Sequence, residues 1–359
     1  MEVAILYLSS KNDLYDIEQF KWIDFIIKQS VAKQFVAITD KPASFQNLQS
    51  LKNIQVEFFN PNRILPSFFS TRKIMALIVK HKAKVLVSIN SFVKLKNSTP
   101  QIIFLQQIPS KKESFNLIKS NLIKSNLIIV FTDYFKNILV KQFLLNENQI
   151  EIILPIISSA FKPLSFNEIS SIKDGYTDGR NYFMSNTVTS ESEDLITILK
   201  AFSQFKKWQK TNMKLMVVSR YQKLSSSLQQ KISTFKFKDD VVVLENISDE
   251  KYAQLLAASY ALIHITNNPL HIFPLVEAIQ TNTAIISSSN DSFKEIIGDA
   301  GLLIKENTTE EIANAMQELY KNENLRNKLI EQACLKAKDI NIDQTAHHFW
   351  QIVQKAIQV

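Results

Sequence analysis

The chain has 359 residues, 45% of them hydrophobic and 21% charged, which is typical of a soluble globular protein with room for two domains. Its single cysteine excludes an internal disulfide framework and a cysteine-based zinc cluster. No run of residues reaches the roughly 18 apolar positions of a membrane span, and the basic start of a signal peptide is missing. We therefore expect a cytoplasmic protein.

Basic charge is concentrated in the first half of the chain. Residues 1–164 contain 21 Lys and Arg against 11 Asp and Glu, and the formal net charge of the whole chain is +8. Such a surface either contacts an anionic partner, such as the inner face of a membrane, or is simply solvated. Nucleic acid is not an expected partner, because the sequence has no zinc-finger, helix-turn-helix or aromatic RNA-binding pattern.

Strands and helices alternate through the first half, which predicts a parallel α/β domain over residues 1–160. The predicted strands are 2–9, 34–39, 54–59, 84–90, 101–107, 127–132 and 150–154, and the predicted helices are 17–29, 71–81, 111–120 and 133–143.

A second α/β domain is predicted over residues 161–340, after a linker at 158–181 that has little apolar periodicity. The final helix, within 341–359, is expected to pack back toward the first domain. The predicted strands are 181–185, 214–219, 241–244, 260–265, 283–287 and 302–304. The predicted helices are 191–208, 225–235, one beginning after Ser248, one beginning near Pro274, 291–297, 308–321, 323–339 and 342–357. Cys334 is predicted to be a buried thiol on one of them.

The most informative stretch is 260–286, which predicts a strand, a polar loop, a helix and a second strand. Pro274 suits the first turn of the helix, and Asn282 suits a left-handed residue after its end. Units of this kind bind ligands at the carboxyl ends of the strands. Glu277 lies one turn into the helix, where a carboxylate suits hydrogen bonds from sugar or ribose hydroxyls. The alternative is a solvated glutamate on a helix surface.

From about residue 182 to residue 356 the sequence resembles the retaining glycosyltransferases of family 4. The likeness rests on residues 239–259, on Pro274-Leu-Val-Glu-Ala and on Glu295-Ile-Ile-Gly-Asp-Ala-Gly; residues 125–139 and 150–156 resemble the family more loosely. The resemblance implies the GT-B fold, which has two Rossmann-like domains facing across a cleft. The first domain would bind a glycan or lipid-linked acceptor, and the second a nucleotide-diphosphate sugar.

Carried over position by position, the resemblance implies a donor site. Glu277 would bind the ribose hydroxyls, and Glu295 would position its helix near the sugar or nucleotide. Asn246 and Ile247 would meet the base. The loop along the diphosphate would be residues 270–273, which include His271, Ile272 and Phe273.

The donor motifs of the family are altered in this chain. Pro269 stands where the family has a carboxylate beside the donor sugar. The phosphate-binding Gly-Arg and Lys of the family align with Thr187, Val188 and roughly Glu193, so both cations are lost. Losing one such group typically costs about 10²–10³ in rate.

Three side chains are candidates to replace these cations: Arg220, Lys223 and His271. The first two could also be a solvated loop pair, and His271 could be an ordinary exposed loop residue. His264, within an apolar strand, is predicted to be a core histidine.

The acceptor side also departs from the family pattern. Ser9 and Ser10 occupy the position of a glycine-rich loop, and Gln106 and Gln107 follow a strand after which a histidine is usual. These four residues are the acceptor-side candidates.

Two functions remain open at this stage. The first is sugar transfer with retention, without a metal or other cofactor. The second is a non-catalytic family member that acts as a partner subunit or glycan-binding module. The altered motifs favour the second, whereas the retained Glu277, Glu295 and the Gly298-Asp-Ala-Gly turn favour the first.

Overall fold

The computed structural model describes residues 3–8, 14–39, 51–58, 66–89, 92–95, 98–105, 115–186, 192–221 and 223–358. The chain forms two compact units. One comprises Met1–Ile156 with Asn341–Val359, and the other comprises Ile157–Ile340.

The first unit contains a seven-stranded parallel sheet with the strand order β3-β2-β1-β4-β5-β6-β7. Its strands are β1 (Val3–Leu8), β2 (Gln34–Thr39), β3 (Ile54–Phe58), β4 (Val85–Ile89), β5 (Gln101–Phe104), β6 (Leu127–Val130) and β7 (Ile150–Ile152). Its first four helices are α1 (Leu14–Gln29), α2 (Pro66–Lys80), α3 (Phe115–Ile123) and α4 (Asp133–Phe143).

The second unit contains a six-stranded parallel sheet with the order β10-β9-β8-β11-β12-β13. Its strands are β8 (Tyr182–Asn186), β9 (Lys214–Ser219), β10 (Val241–Glu245), β11 (Ala261–His264), β12 (Ile285–Ser288) and β13 (Gly301–Ile304). Its helices are α5 (Phe166–Thr177), α6 (Ser192–Gln209), α7 (Ser226–Ser233), α8 (Asp249–Ala257), α9 (Phe273–Gln280), α10 (Asp291–Ile297), α11 (Thr309–Lys321) and α12 (Glu323–Ala337).

The last helix, α13 (Ile342–Gln358), belongs to the first unit and packs against α1. Trp350 donates its indole N–H to the hydroxyl of Ser30 at 2.6 Å, and the ring of Phe349 meets Trp22 edge-on at 5.7 Å. A buried indole N–H with a partner carries no desolvation cost, so this contact joins the end of the chain firmly to the first sheet.

The predicted fold class, two parallel-sheet α/β domains, is confirmed. Every residue of β4, β5, β6, β9, β11 and β12 is buried, as expected for parallel strands covered by helices on both faces.

Strand order in the second unit locates a ligand crevice. The chain runs from β8 outward through β9 and β10, and then returns to place β11 on the other side of β8. In open parallel sheets a crevice forms at the carboxyl edge where the order reverses in this way. The carboxyl ends of β8 and β11 therefore mark the expected binding edge of the second unit.

Two sequence-based expectations are wrong. The segment interpreted as a linker contains α5, which begins with a capping box in which Ser165 accepts from the N–H of Glu168 and Glu168 accepts from the N–H of Ser165. This helix has almost no buried face, so it lacks an apolar stripe that a periodicity could reveal. Cys334 is exposed, because the buried face of α12 runs through Leu329 and Ala333 instead.

Candidate functional site

The turn after β10 lies at the binding edge of the second unit. Asn246 has a left-handed backbone (φ 51°), and its N–H donates to the carbonyl of Ser219 at the end of β9, 2.9 Å away. Ser248 then caps α8, as predicted, by accepting from the N–H of Lys251. Asn246 is exposed and Ile247 is half-buried. Both therefore lie at the sheet edge where a bound base is expected, and their contact with a base remains a prediction.

The loop between β11 and α9 is held in shape by its own polar side chains. Thr266 donates its N–H to the hydroxyl of Ser288 at 3.0 Å, and its own hydroxyl accepts from the N–H of Asn268. Asn268 in turn accepts from the N–H of Leu270 through its side-chain oxygen at 3.1 Å. Turns closed by threonine and asparagine side chains fix a loop backbone without help from glycine. This accounts for an ordered loop in a chain that has only 4 glycines.

Helix α9 begins with Pro274 in its first turn, as predicted, and Asn282 follows its end with φ 55°. The side chains of Ile272 and Phe273 are buried. A contact between these two residues and a diphosphate would therefore come from their main chain at the helix start, where the helix dipole favours an anion.

His264 and His271 form a buried pair at the end of β11. The Nε2–H of His264 donates to the carbonyl oxygen of His271 at 2.9 Å, and the two rings lie 5.0 Å apart. Burial lowers the pKa of His264 to about 4, although the hydrogen bond acts in the opposite direction. Burial, helped by His264, also lowers the pKa of His271 well below its usual value. Both rings are therefore neutral near pH 7.

These observations correct one prediction and confirm another. His271 is only 3% exposed, so the interpretation as an exposed loop residue is wrong, and a neutral imidazole does not replace a lost cation. His264 is a core histidine, as expected.

Arg220 forms the charged centre of the site. It follows β9, and its Nη1 lies 2.5 Å from Oε1 of Glu277 on α9. Its Nε and Nη2 lie 3.0 and 2.8 Å from Oδ1 of Asp249, the first residue of α8. Arg220 and Glu277 are each 3% exposed, so neither the solvated loop residue nor the solvated helix glutamate allowed by the sequence is correct.

Aromatic rings enclose the same guanidinium. Its central carbon lies 4.3 Å from the ring centre of Tyr252, 5.1 Å from that of Tyr221 and 5.3 Å from that of Phe161. Burial acts to lower the pKa of Arg220, but Glu277, Tyr221 and Asp249 outweigh it and raise that pKa well above its usual value. Arg220 is therefore a permanent buried cation that is shared by two carboxylates.

This geometry changes the role that the sequence suggested for Arg220. Its three polar contacts are with carboxylates of the same unit, so it is not presented to a diphosphate as a replacement cation. Lys223 is exposed, and Glu295 is half-buried on α10. Whether either touches a donor remains a prediction.

Several predicted positions lie outside the described residues. They are the acceptor-side candidates Ser9, Ser10, Gln106 and Gln107, and the altered phosphate-binding positions Thr187 and Val188. Glu193 lies in α6, and its side chain is likewise outside the description.

Sequence reasoning missed the part played by Asp249 and by the aromatic rings. The sequence marked Asp249 only as an acidic residue in the first turn of a helix. Phe161, Tyr221 and Tyr252 show no spacing that would relate them to Arg220. Their common contact arises from the packing of β9 against α8 and from the segment before α5.

Two general features of the described part of the chain bear on function. Its His, Cys, Asp and Glu residues form no group of three or more that could hold a metal ion. Each of its helices is too short or too polar to traverse a bilayer.

Comparison with known proteins places this geometry in context. Residues 168–335 match the family described as "Glycosyl transferases group 1". No curated protein matched the sequence.

Solved structures resemble the chain over nearly its full length. A glycosyltransferase from Rickettsia africae ESF-5 is 14% identical, with a TM-score of 0.82 over 99% of this chain and 98% of its own. Anabaena HepE, solved with UDP, is 15% identical, with a TM-score of 0.80 over 99% and 100% of the two chains. WaaG, a glycosyltransferase involved in lipopolysaccharide biosynthesis, is 15% identical, with a TM-score of 0.73 over 98% and 99%. The chain thus has the fold of the GT-B glycosyltransferases, and its second unit matches glycosyl transferases group 1.

Proposed function

We propose that the protein is a glycosyltransferase that moves a sugar, with retention, from a nucleotide-diphosphate donor to a glycan or lipid-linked acceptor. The second unit binds the donor and the first binds the acceptor. The expected setting is the synthesis of cell-surface polysaccharide or another glycoconjugate, at the cytoplasmic side of an anionic membrane. The donor is a substrate, and the reaction uses no metal or other cofactor.

The carboxylate of Glu277 is the observation that carries this proposal. It is buried in the first part of α9, near the carboxyl ends of the strands, and a bidentate arginine partner on the opposite side holds its group in one position. A buried, ionised and oriented carboxylate accepts hydrogen bonds from neighbouring hydroxyls strongly. Ribose presents two adjacent hydroxyls that suit such an acceptor.

The comparisons support a nucleotide as the guest. HepE has been solved with UDP, with UDP and glucose, and with UDP-glucose. By analogy, a UDP-sugar is the first donor to test with this chain. The sequence match to group 1 covers α9 and the strands on either side of it, so the donor side carries the stronger support.

One alternative function is favoured by specific observations. Pro269 replaces the carboxylate that the family has beside the sugar, and Arg220 is occupied by Glu277 and Asp249. A family member without these groups would bind a nucleotide or a glycan and would act as a non-catalytic partner of an active transferase.

A transfer assay distinguishes the two functions. The purified protein is incubated with UDP-, GDP- and ADP-sugars together with saccharide and lipid acceptors, and the released nucleoside diphosphate and the anomeric signal of the product are followed by NMR. Transfer with an unchanged anomeric configuration supports the proposal. Nucleotide binding without release of diphosphate, over the whole donor and acceptor panel, supports the non-catalytic alternative.

A further inference from the structure

We infer that Arg220 is a positioning residue that keeps Glu277 ionised and fixes it relative to the turn expected to meet the base. This inference rests on the proposed function, because it assigns Arg220 a task in donor binding. The role differs from contact with the diphosphate, since the guanidinium is directed at two carboxylates of its own unit.

Arg220 connects the elements from which the donor side is built. It follows β9, it contacts Asp249 at the start of α8, and it contacts Glu277 within α9. Asp249 lies three positions after Asn246, whose N–H is bonded to the carbonyl that ends β9. One guanidinium therefore sets the separation between the expected ribose acceptor and the expected base contact.

Glu277 needs a cation to remain ionised. All the α9 residues from Phe273 to Ile279 are buried, and burial without a charge partner raises the pKa of a carboxyl group. A protonated Glu277 would present a hydroxyl group in place of a second acceptor oxygen and would bind ribose hydroxyls less well. The side chain of Arg220, which is charged at every physiological pH, prevents this.

Only arginine suits the position. Its planar fork reaches two carboxylates at once and stacks on an aromatic ring, whereas a lysine ammonium is a single strongly hydrated point. Tyr252 lies against the guanidinium at 4.3 Å, close enough for such a stack. Arg220→Lys should therefore preserve the charge but lose part of the orientation.

Arg326 offers a matched control within the same unit. Its guanidinium carbon lies 4.3 Å from the ring centre of Tyr260, and its Nη1 lies 2.7 Å from Glu323. Its Nε donates to the carbonyl of Tyr260, which precedes β11 and so lies at the opposite edge of the sheet. Arg326→Met removes a stacked, paired arginine without touching the binding edge.

The experiment is a calorimetric titration with UDP from pH 5.5 to 8.5. It compares the wild type with Arg220→Met, Arg220→Lys, Glu277→Gln, Arg326→Met and the double variant Arg220→Met with Glu277→Gln. Folding of each variant is checked by circular dichroism. We expect Arg220→Met to weaken UDP binding about tenfold or more at pH 7 and to recover affinity as the pH rises, because Glu277 then ionises.

The remaining variants separate positioning from general damage. The wild type and Arg326→Met should have the same affinity, with no such pH dependence. Arg220→Lys should be intermediate and independent of pH. The double variant should bind no worse than Glu277→Gln alone, because both changes act on one carboxylate. Should Arg220→Met not fold, Arg220→Lys and Asp249→Asn carry the comparison, and each should weaken UDP binding several-fold relative to Arg326→Met.

Two different failures can be told apart. A wild type that binds none of UDP, GDP and ADP removes the proposed function and this inference with it. A wild type that binds UDP, with Arg220 variants that bind it equally well or more tightly at every pH, overturns the inference alone, and tighter binding would indicate that Arg220 obstructs the site.

Discussion

Arg220 and Glu277 form an ion pair of 2.5 Å across 57 residues of sequence. Each was a separate candidate in the sequence, one for the diphosphate and the other for the ribose. In the folded protein they are one charged unit with Asp249, carrying two negative charges against one positive charge. The structure thus turns two independent ligand candidates into an acceptor carboxylate and the cation that holds it.

The first prediction concerns the stability of this unit. Arg220→Met leaves the buried Glu277 without its cation and should lower the free energy of unfolding by about 3 kcal/mol or more. Arg326→Met should cost only about 1 kcal/mol, since Arg326 is more exposed. Urea denaturation of both variants measures the difference. Equal losses would mean that the Arg220 cluster contributes no more than a surface pair.

A second prediction concerns pH and His264. Its pKa is about 4 in the folded protein, whereas an unfolded histidine titrates near 6.5. Between these values the unfolded chain binds more protons, so stability falls as the pH drops from about 6.5 toward 4. His264 contributes a slope of at most about 1.4 kcal/mol per pH unit.

The control for this prediction is His264→Gln, whose amide can still donate to the carbonyl of His271. It should show a smaller slope of unfolding free energy in the same pH range. An unchanged slope would assign the acid sensitivity to other groups.

A third prediction concerns metal ions. Asp249 and Glu277 are occupied by Arg220, so they are not available as ligands for Mg²⁺. We expect the affinity for UDP to be the same, within about twofold, in Mg²⁺ and in EDTA. A strict requirement for Mg²⁺ in donor binding would contradict the account of the site.

A fourth prediction tests the helix that the sequence did not reveal. Ser165→Ala removes the capping box of α5 and should cost about 1 kcal/mol of stability. Ser171→Ala, inside the same helix, should be neutral or slightly stabilising, because alanine is the better helix former. Thermal unfolding of both variants provides the measurement, and a larger loss in Ser171→Ala would contradict the assigned cap.

Local elements could be predicted well from the sequence. The bounds of β2, β9, α4 and α10 were predicted correctly, because each has a clear apolar pattern and polar residues at its ends. The turn at Asn282 was likewise predicted from residue type alone. The helix α5 was missed, since its few buried positions give no periodicity, and its start is marked only by Ser165 and Glu168.

The site could be predicted only in its parts. The position of Glu277 one turn into α9 follows from local pattern, and so does the location of Arg220 at a strand end. Their pairing depends on how β9, α8 and α9 pack, and no local pattern contains that information. The burial of His271 was missed for the same reason, because a polar loop is normally exposed and this one is folded inward by its own hydrogen bonds.

The central claim is that Glu277 is the acceptor for the ribose of a nucleotide donor. The most direct measurement is a calorimetric titration of the folded protein and of Glu277→Ala with UDP. The account predicts micromolar binding by the wild type and a loss of about 1–3 kcal/mol of binding free energy in the variant, as expected when hydrogen-bonding hydroxyls lose their partner. Equal affinity in the two proteins would remove Glu277 from the site and contradict the account.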